Sequence, residues 1–294
     1  LNSIQQATST KLFNRHALFQ HALPIAALVM IAVIAYGIFY APILYNDDWS
    51  YMIGRWYGGT MKWFDLTELR PLQKIPFVIL YGIFGLNLHV FYGIFWSLSV
   101  LAAVQLYFLM LKFTSKNIAI AFAIAAIFLV YPADFTHMWV SQMHSRVAVV
   151  FTLLYTHLLL AYKNNRRHTA LWGSLLCLLI SFALYEGQLG VTMAWCLLLI
   201  LTTKRDFWRN RSNLNLLLPL VLGIIFILWR TVGYDIIGIK DSYEYIDRVQ
   251  LTPAIIISRF IQGCQVMVWA WIEPLTHGFG LRSGLAVIII LGVI

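Results

Sequence analysis

Residues 70–87 read Arg70-Pro71-Leu72-Gln73-Lys74-Ile75-Pro76-Phe77-Val78-Ile79-Leu80-Tyr81-Gly82-Ile83-Phe84-Gly85-Leu86-Asn87. Whether Leu72–Leu86 crosses a membrane fixes the side on which every later loop lies. The stretch is apolar but short of the ~20 residues that a span needs. It follows Pro71 and is interrupted by Lys74 and Pro76. Charges elsewhere in the chain decide the matter. If it does not cross, one face of the membrane carries Lys11 and Arg15; Lys112 and Lys116; Lys163, Arg166 and Arg167; and Lys204, Arg205, Arg209 and Arg211. That is eleven of the 21 cations, gathered in short segments as the positive-inside rule expects of a cytoplasmic face. If it does cross, nine of those eleven move outside. The sequence therefore predicts a helix that lies along the outer surface, or dips in and returns, within a long first outer loop, 45–87.

The rest of the chain fits that frame. Of its 294 residues, 61% are hydrophobic and 11% charged, with a mean hydropathy of +0.76. This excludes a soluble globular domain and predicts an all-α, polytopic helical bundle. The first span is Ala22–Leu44, after a cytoplasmic tail at 1–21. It has no small-residue cleavage site after it and reads as an uncleaved anchor. Further runs are Leu88–Leu111, Asn117–Ala133, Val147–Tyr162, Thr169–Tyr185, Gly187–Thr203, Leu214–Arg230 and Ala254–Ile272. Another opens near Phe279, giving about eight spans and a partial ninth in one domain, 22–294. The chain starts at Leu1 and ends inside the apolar run Leu285–Ile294, so it reads as a fragment truncated at its C-terminus. The net charge of +9 belongs to cytoplasmic loops rather than to a nucleic-acid surface. Cys177, Cys196 and Cys264 lie in apolar runs and give no disulfide framework.

The same topology sorts the acids. Of twelve carboxylates, ten fall on the outer face: Asp47, Asp48, Asp65, Glu68, Asp134, Glu186, Asp235, Asp241, Glu244 and Asp247. Nothing in the positive-inside rule requires this. Asp47 and Asp48 stand out, at the mouth of the first span in Tyr45-Asn46-Asp47-Asp48-Trp49-Ser50-Tyr51. Charge at a membrane boundary is costly and is a functional hypothesis by default. One of the pair can serve as a general base, each raising its neighbour's proton affinity. The alternative is a pair of solvated acids ending a helix. Arg55, Arg70 and Lys74 follow in the same loop, and an arginine fork grips phosphate oxygens; snorkelling to headgroups is the bland alternative. The second outer loop, 132–146, supplies Asp134, His137, His144 and Arg146. Were a divalent cation needed, Asp47, Asp48, Asp134 and His137 are the side chains to hold it, although the spacing matches no metal motif. Glu186, in Leu184-Tyr185-Glu186-Gly187, either faces a wet cavity or marks the turn between two spans.

The order of these parts resembles the GT-C class of integral-membrane glycosyltransferases, over roughly residues 22–190. The resemblance rests on a span ending in an acidic pair, and an outer loop with Arg70-Pro71 closing on Phe84-Gly85-Leu86-Asn87. A span from near His89, an acid after Pro132 and the later Tyr185-Glu186 complete it. Protein O-mannosyltransferases and aminoarabinose transferases belong to that class. The resemblance implies transfer of a sugar from a polyprenyl-phosphate carrier to an acceptor hydroxyl, on the outer face of a membrane. It implies Asp47 or Asp48 as the catalytic acid of the first outer loop and Asp134 as that of the second. Many members carry Asp-Glu or Asp-x-Asp where this chain has Asn46-Asp47-Asp48, which leaves open which aspartate acts and whether a metal takes part. Inverting transfer needs one base for the acceptor and cations on the departing phosphate: Arg70, Lys74, and Arg55 or Arg146. The expected partners are a polyprenyl-phosphate-linked sugar, a glycan, lipid or protein acceptor, and membrane lipids, with no nucleic acid. The expected location is a bacterial inner membrane. Rival readings are a transporter or lipid flippase, which favours charges along paired, broken helices, and a non-catalytic subunit on the same scaffold.

Overall fold

The computed structural model describes residues 2–37, 70–131, 140–201 and 214–229, together with helical positions Ala254, Ile257, Ser258, Ile261, Gln262 and Gln265. Among the described residues every regular element is a helix. In chain order these are α1 (Asn2–Gly37), α2 (Ile75–Phe84), α3 (Leu88–Phe113), α4 (Ile118–Val130), α5 (Met143–Asn165), α6 (His168–Leu184), α7 (Gln188–Leu201) and α8 (Leu218–Leu228). Short 3-10 turns at Val140–Gln142 and Asn215–Leu217 lead into α5 and α8. Three segments are long and apolar enough to cross a membrane: Gln20–Gly37, Leu88–Phe113 and Val140–Asn165. The others are shorter. At 17 residues, α6 is about 26 Å long at 1.5 Å per residue, close to the ~30 Å of a hydrocarbon core.

The outward-facing side chains are themselves apolar. Trp172, Leu176 and Leu179 on α6, and Val221, Ile224, Ile225 and Leu228 on α8, are all exposed. Their spacing of three and four residues makes one stripe on each helix. Such stripes in water would be a liability, whereas against lipid tails they cost nothing.

Helix ends follow from local chemistry. The Asn117 side chain accepts the Ile120 N–H at 3.1 Å and starts α4, a standard N-cap arrangement. The α3–α4 turn is made by Ser115 and Lys116 in left-handed conformation, with the Lys116 N–H closing on Leu111 O at 2.9 Å. Arg166, also left-handed, ends α5 by donating its N–H to Tyr162 O. Pro76 does not interrupt α2 but occupies its first turn, where a missing N–H is no loss. Gly85 ends α2 at φ +59° and ψ −152°, a region open essentially to glycine alone.

The chain divides into two compact units. One contains α1, α3 from Ser99 onward, and α4. Here α1 packs on α4, with Ala32 and Ala35 buried on one helix and Ala121, Ala125 and Ala126 on the other; small residues let backbones approach closely. Tyr36 donates its hydroxyl to Leu129 O at 2.7 Å, and His21 Nδ1 lies 2.7 Å from the Tyr107 hydroxyl. The helix is unbroken from Asn2 to Gly37, so the expected tail at 1–21 continues into the first span. Residues 38–44 of that span lie outside the described residues.

The second unit contains α2, the start of α3 and α5 to α8. α5 and α6 form its most extensive helix pair, around Tyr155, Leu159, Tyr162, Leu171, Leu178 and Phe182. Two buried hydroxyls join them: Thr152 Oγ1 and Ser181 Oγ are 2.7 Å apart, and Ser181 also donates to Ala148 O at 3.1 Å. α2 buries Phe77 and Leu80 against Phe91, Tyr92 and Phe95 of α3 and Val140 and Met143. The expected second loop, 132–146, is therefore too long. Val140–Gln142 is a 3-10 turn and α5 begins at Met143, with Ser141, His144 and Arg146 buried rather than solvated.

Candidate functional site

Four charged side chains of the second unit, Arg70, Lys74, Arg146 and Glu186, belong to the start of α2, the start of α5 and the α6–α7 turn. A tight turn prepares the first of these segments. Gln73 N–H donates to Arg70 O at 3.0 Å and Ile75 N–H to Leu72 O at 3.1 Å. Leu72 N–H then reaches across to Ala183 O, 3.0 Å away near the end of α6. A carbonyl in the last turn of a helix has no intrahelical partner, and this bond supplies one while fixing the 70–74 turn beside Tyr185 and Glu186.

Arg70 and Glu186 meet there as a side-on fork, Nε to Oε2 at 2.6 Å and Nη2 to Oε1 at 2.7 Å. Both are charge-assisted hydrogen bonds at the short end of their range. Arg70 and Glu186 side chains are 26% and 29% exposed, so the pair forms a rim open to the exterior. The Arg70 guanidinium lies 4.8 Å above the Tyr185 ring centroid, close enough for a cation–π contact. Tyr185 in turn meets His144 edge to face at 5.8 Å, and the His144 ring also lies 6.5 Å from that of Phe77.

Beneath the rim the polar groups are buried. His144 Nδ1 is 2.8 Å from Ser141 O. A carbonyl only accepts, so Nδ1 carries the hydrogen, and Nε2 faces the Gln73 amide nitrogen at 3.4 Å. That arrangement suits a neutral ring and occupies both nitrogens, so His144 is not disposed to ligate a metal. Lys74 and Arg146 are buried as well. The Arg146 guanidinium lies 5.4 Å from the Phe95 ring centroid, and Phe95 belongs to the apolar cluster around Phe77. The described residues at the start of α2, the start of α5 and the α6–α7 turn thus include three basic side chains, Arg70, Lys74 and Arg146, and one carboxylate, Glu186. An open hollow of about 550 Å³, lined by Phe84, Leu86, Asn87, Leu88 and His89, lies at the far end of α2 and touches none of these residues.

Of the residues singled out in sequence, Arg70 and Glu186 are in direct contact, and Lys74 and Arg146 are buried nearby in the same unit. Asp47, Asp48, Arg55, Asp134 and His137 lie outside the described residues, and the metal-ligand set they make up lies there with them. Among the described residues no cluster of three or more metal-ligating side chains occurs. Gln73 was not singled out, and Tyr185 was named only as the neighbour of Glu186. A polar residue between Arg70 and Lys74, and an aromatic next to a lone glutamate, were the available signals. No protein-family model, curated protein or solved structure matches the chain.

Proposed function

We propose that the chain is a GT-C type membrane glycosyltransferase that moves a sugar from a polyprenyl-phosphate carrier to an acceptor hydroxyl at the outer face. The supporting observation is the Arg70–Glu186 contact, which draws the first outer loop and the α6–α7 turn into one basic, partly open site. Lys74 and Arg146 are buried at the starts of α2 and α5 in the same unit. Buried ionisable groups in a membrane protein are retained for function more often than for stability.

The same contact supports the topology on which the reading depends. Partners 2.6 Å apart lie on one side of the membrane, so the chain crosses an even number of times between residues 70 and 186. Crossings by α3, α4, α5 and α6 meet that condition. A fifth by α2 would put the two side chains on opposite faces, about 30 Å apart. The contact therefore favours a place for α2 in the outer leaflet, and the count of about eight spans plus a partial ninth remains part of the proposal.

In the proposed reaction Asp47 or Asp48 takes the proton of the acceptor hydroxyl as its oxygen attacks the anomeric carbon from the face opposite the phosphate. The carbon–oxygen bond to the carrier breaks and the configuration inverts. The departing phosphate leaves as an anion and needs cations rather than an acid; Arg70 and Lys74, with Arg55 or Arg146, supply them. The protein reconstituted in liposomes with a polyprenyl-phosphate sugar tests the proposal. Asp47→Asn combined with Asp48→Asn is expected to abolish transfer while the protein stays folded and inserted. Undiminished transfer by that variant removes the assignment. A second reading, a non-catalytic membrane subunit, is favoured by the fact that Glu186 already neutralises Arg70. Carrier binding without turnover by the unaltered protein selects it.

A further inference from the structure

We infer that the α5–α6 turn holds the headgroup of one anionic phospholipid, with an acyl chain of the same molecule lying along the outer stripe of α6. Nothing in this depends on sugar transfer; it requires only that α5 and α6 meet at a membrane surface.

Lys163, Arg166, Arg167 and His168 fall within six residues. Lys163 belongs to the last turn of α5, Arg166 caps that helix, and Arg167 caps the start of α6. Two of these positions carry a cation at a local cost. Arg166 is left-handed, with φ +57° and ψ +23°, at the position where helices most often place glycine because a Cβ there is crowded. Arg167 stands at the positive end of the α6 dipole, where an acid is favoured and a cation is not. The first turn of α6 has no acid, and the Arg167 side chain makes no cap bond. The negative end of α5 favours Lys163 and Arg166, but it does nothing for Arg167. Among the described residues the one carboxylate is Glu186, at the other end of α6, about 26 Å away by the length of that helix. An anion seated over the turn answers both costs: it faces three cations, and it lies at the helix end that attracts negative charge.

The cations stand on a fixed platform. Tyr162 is fully buried, and its hydroxyl accepts a hydrogen bond from Asn215 Nδ2 at 2.8 Å. The Arg166 guanidinium lies 5.9 Å from the centroid of that ring, and the His168 ring lies 6.0 Å from it. Asn215 opens the 3-10 turn ahead of α8, so the platform ties α5, α6 and the approach to α8 together beneath the basic turn.

The apolar surroundings select a lipid over a soluble anion. His168 is exposed, and Trp172 follows it by about one turn, roughly 6 Å along the axis. Trp172 is 65% exposed, and Leu176 and Leu179 continue the same outward stripe. Tryptophan is a usual residue of the membrane interface, and basic groups between helix ends there bind anionic headgroups. A phospholipid with a net negative headgroup satisfies the turn and the stripe together. A soluble phosphate ester satisfies the turn alone, and a zwitterionic lipid the stripe alone.

The test uses the full chain in neutral detergent, titrated with phosphatidylglycerol, with phosphatidylcholine of the same chains, and with glycerol phosphate. Bound lipid is counted by native mass spectrometry. The natural protein is expected to retain one phosphatidylglycerol in preference to phosphatidylcholine, by about fivefold for each cation engaged. Arg167→Gln is expected to lower that preference about fivefold, and Arg166→Gly combined with Arg167→Gln about twenty-five-fold on the same scale. Glycine relaxes the left-handed cap and glutamine relieves the positive end of α6. The double variant is therefore expected to keep or raise the thermal midpoint in phosphatidylcholine nanodiscs. Undiminished preference in the double variant overturns the inference, and a lowered midpoint beside it identifies the two arginines as structural caps. Trp172→Ala is expected to weaken both lipids alike; if it weakens neither, the acyl path is overturned. An equal loss of preference in Lys116→Gln, at the α3–α4 turn, makes the effect one of net charge and overturns the docking point. Displacement of the lipid by excess glycerol phosphate makes the occupant a soluble anion and overturns it too.

Discussion

Substituting Gly187 by alanine probes the site through packing rather than charge. A Cβ built at Gly187 overlaps Cε1 of Tyr185 and lies 2.8 Å from its Cζ. Non-bonded carbons settle at about 3.5–4.0 Å, so the ring must withdraw by an ångström or more. It cannot do so freely, because Arg70 rests on its face and His144 on its edge. Forced repacking of this kind costs about 1–3 kcal/mol, and we expect Gly187→Ala to destabilise the protein by that amount and to lower ligand affinity with it. The backbone at Gly187 is not left-handed. With the ring removed, alanine should therefore be better than glycine by about 0.4–1 kcal/mol, since it restricts the unfolded chain. The effect of Gly187→Ala thus changes sign between the natural background and a Tyr185→Ala background. Detergent-denaturation midpoints of the four proteins measure this cycle. Equal costs in the two backgrounds, or a gain in the natural one, would refute the packing described here.

Other outcomes are equally specific. Ser181→Ala removes the hydroxyl that joins Thr152 and Ala148 O across α5 and α6. A cost of about 1–2 kcal/mol is expected, at the upper end for hydrogen bonds between membrane helices, and a cost within error of zero in the same denaturation assay counts against the bond. Phe77→Ala empties the centre of the cluster that seats α2 on α3 and α5. It should cost about 3–5 kcal/mol and increase protease sensitivity near residues 70–84; unchanged stability contradicts the buried placement. Cysteines placed at Leu72 and Ala183, whose backbones are hydrogen-bonded, should be joined by a short bifunctional reagent in native membranes. Absence of that product while both thiols are reactive would contradict the contact.

Sequence patterning located the helices better than their ends, for reasons visible at particular residues. The long run from Leu88 coincides with α3, and Thr169–Tyr185 falls within a residue of α6 at either end, since apolar composition and the basic turn at Arg166 and Arg167 leave little choice. The start of α5 was misplaced by four residues because Met143–Arg146 includes His144 and Arg146. Hydropathy counts such residues as exposed, but these are buried with partners. Pro76 looked like a break and is a start, as the first turn of a helix has no use for its N–H. Arg70 and Glu186 were each legible as costly charges in an apolar chain. Their meeting was not, because no local pattern connects side chains 116 positions apart. Asp47 and Asp48, on which the proposed chemistry depends, were chosen from sequence and lie outside the described residues.

That separation also sets a clock during biosynthesis. A ribosome adding about 5–20 residues per second makes Arg70 some 6 to 23 s before Glu186 exists, and the carbonyl of Ala183 that will receive Leu72 arrives equally late. Throughout that interval α2 has neither its ionic tether nor its backbone anchor. Nascent chains stalled before residue 183 should therefore hold α2 only by its apolar contacts and leave it more open to digestion than chains released after residue 187.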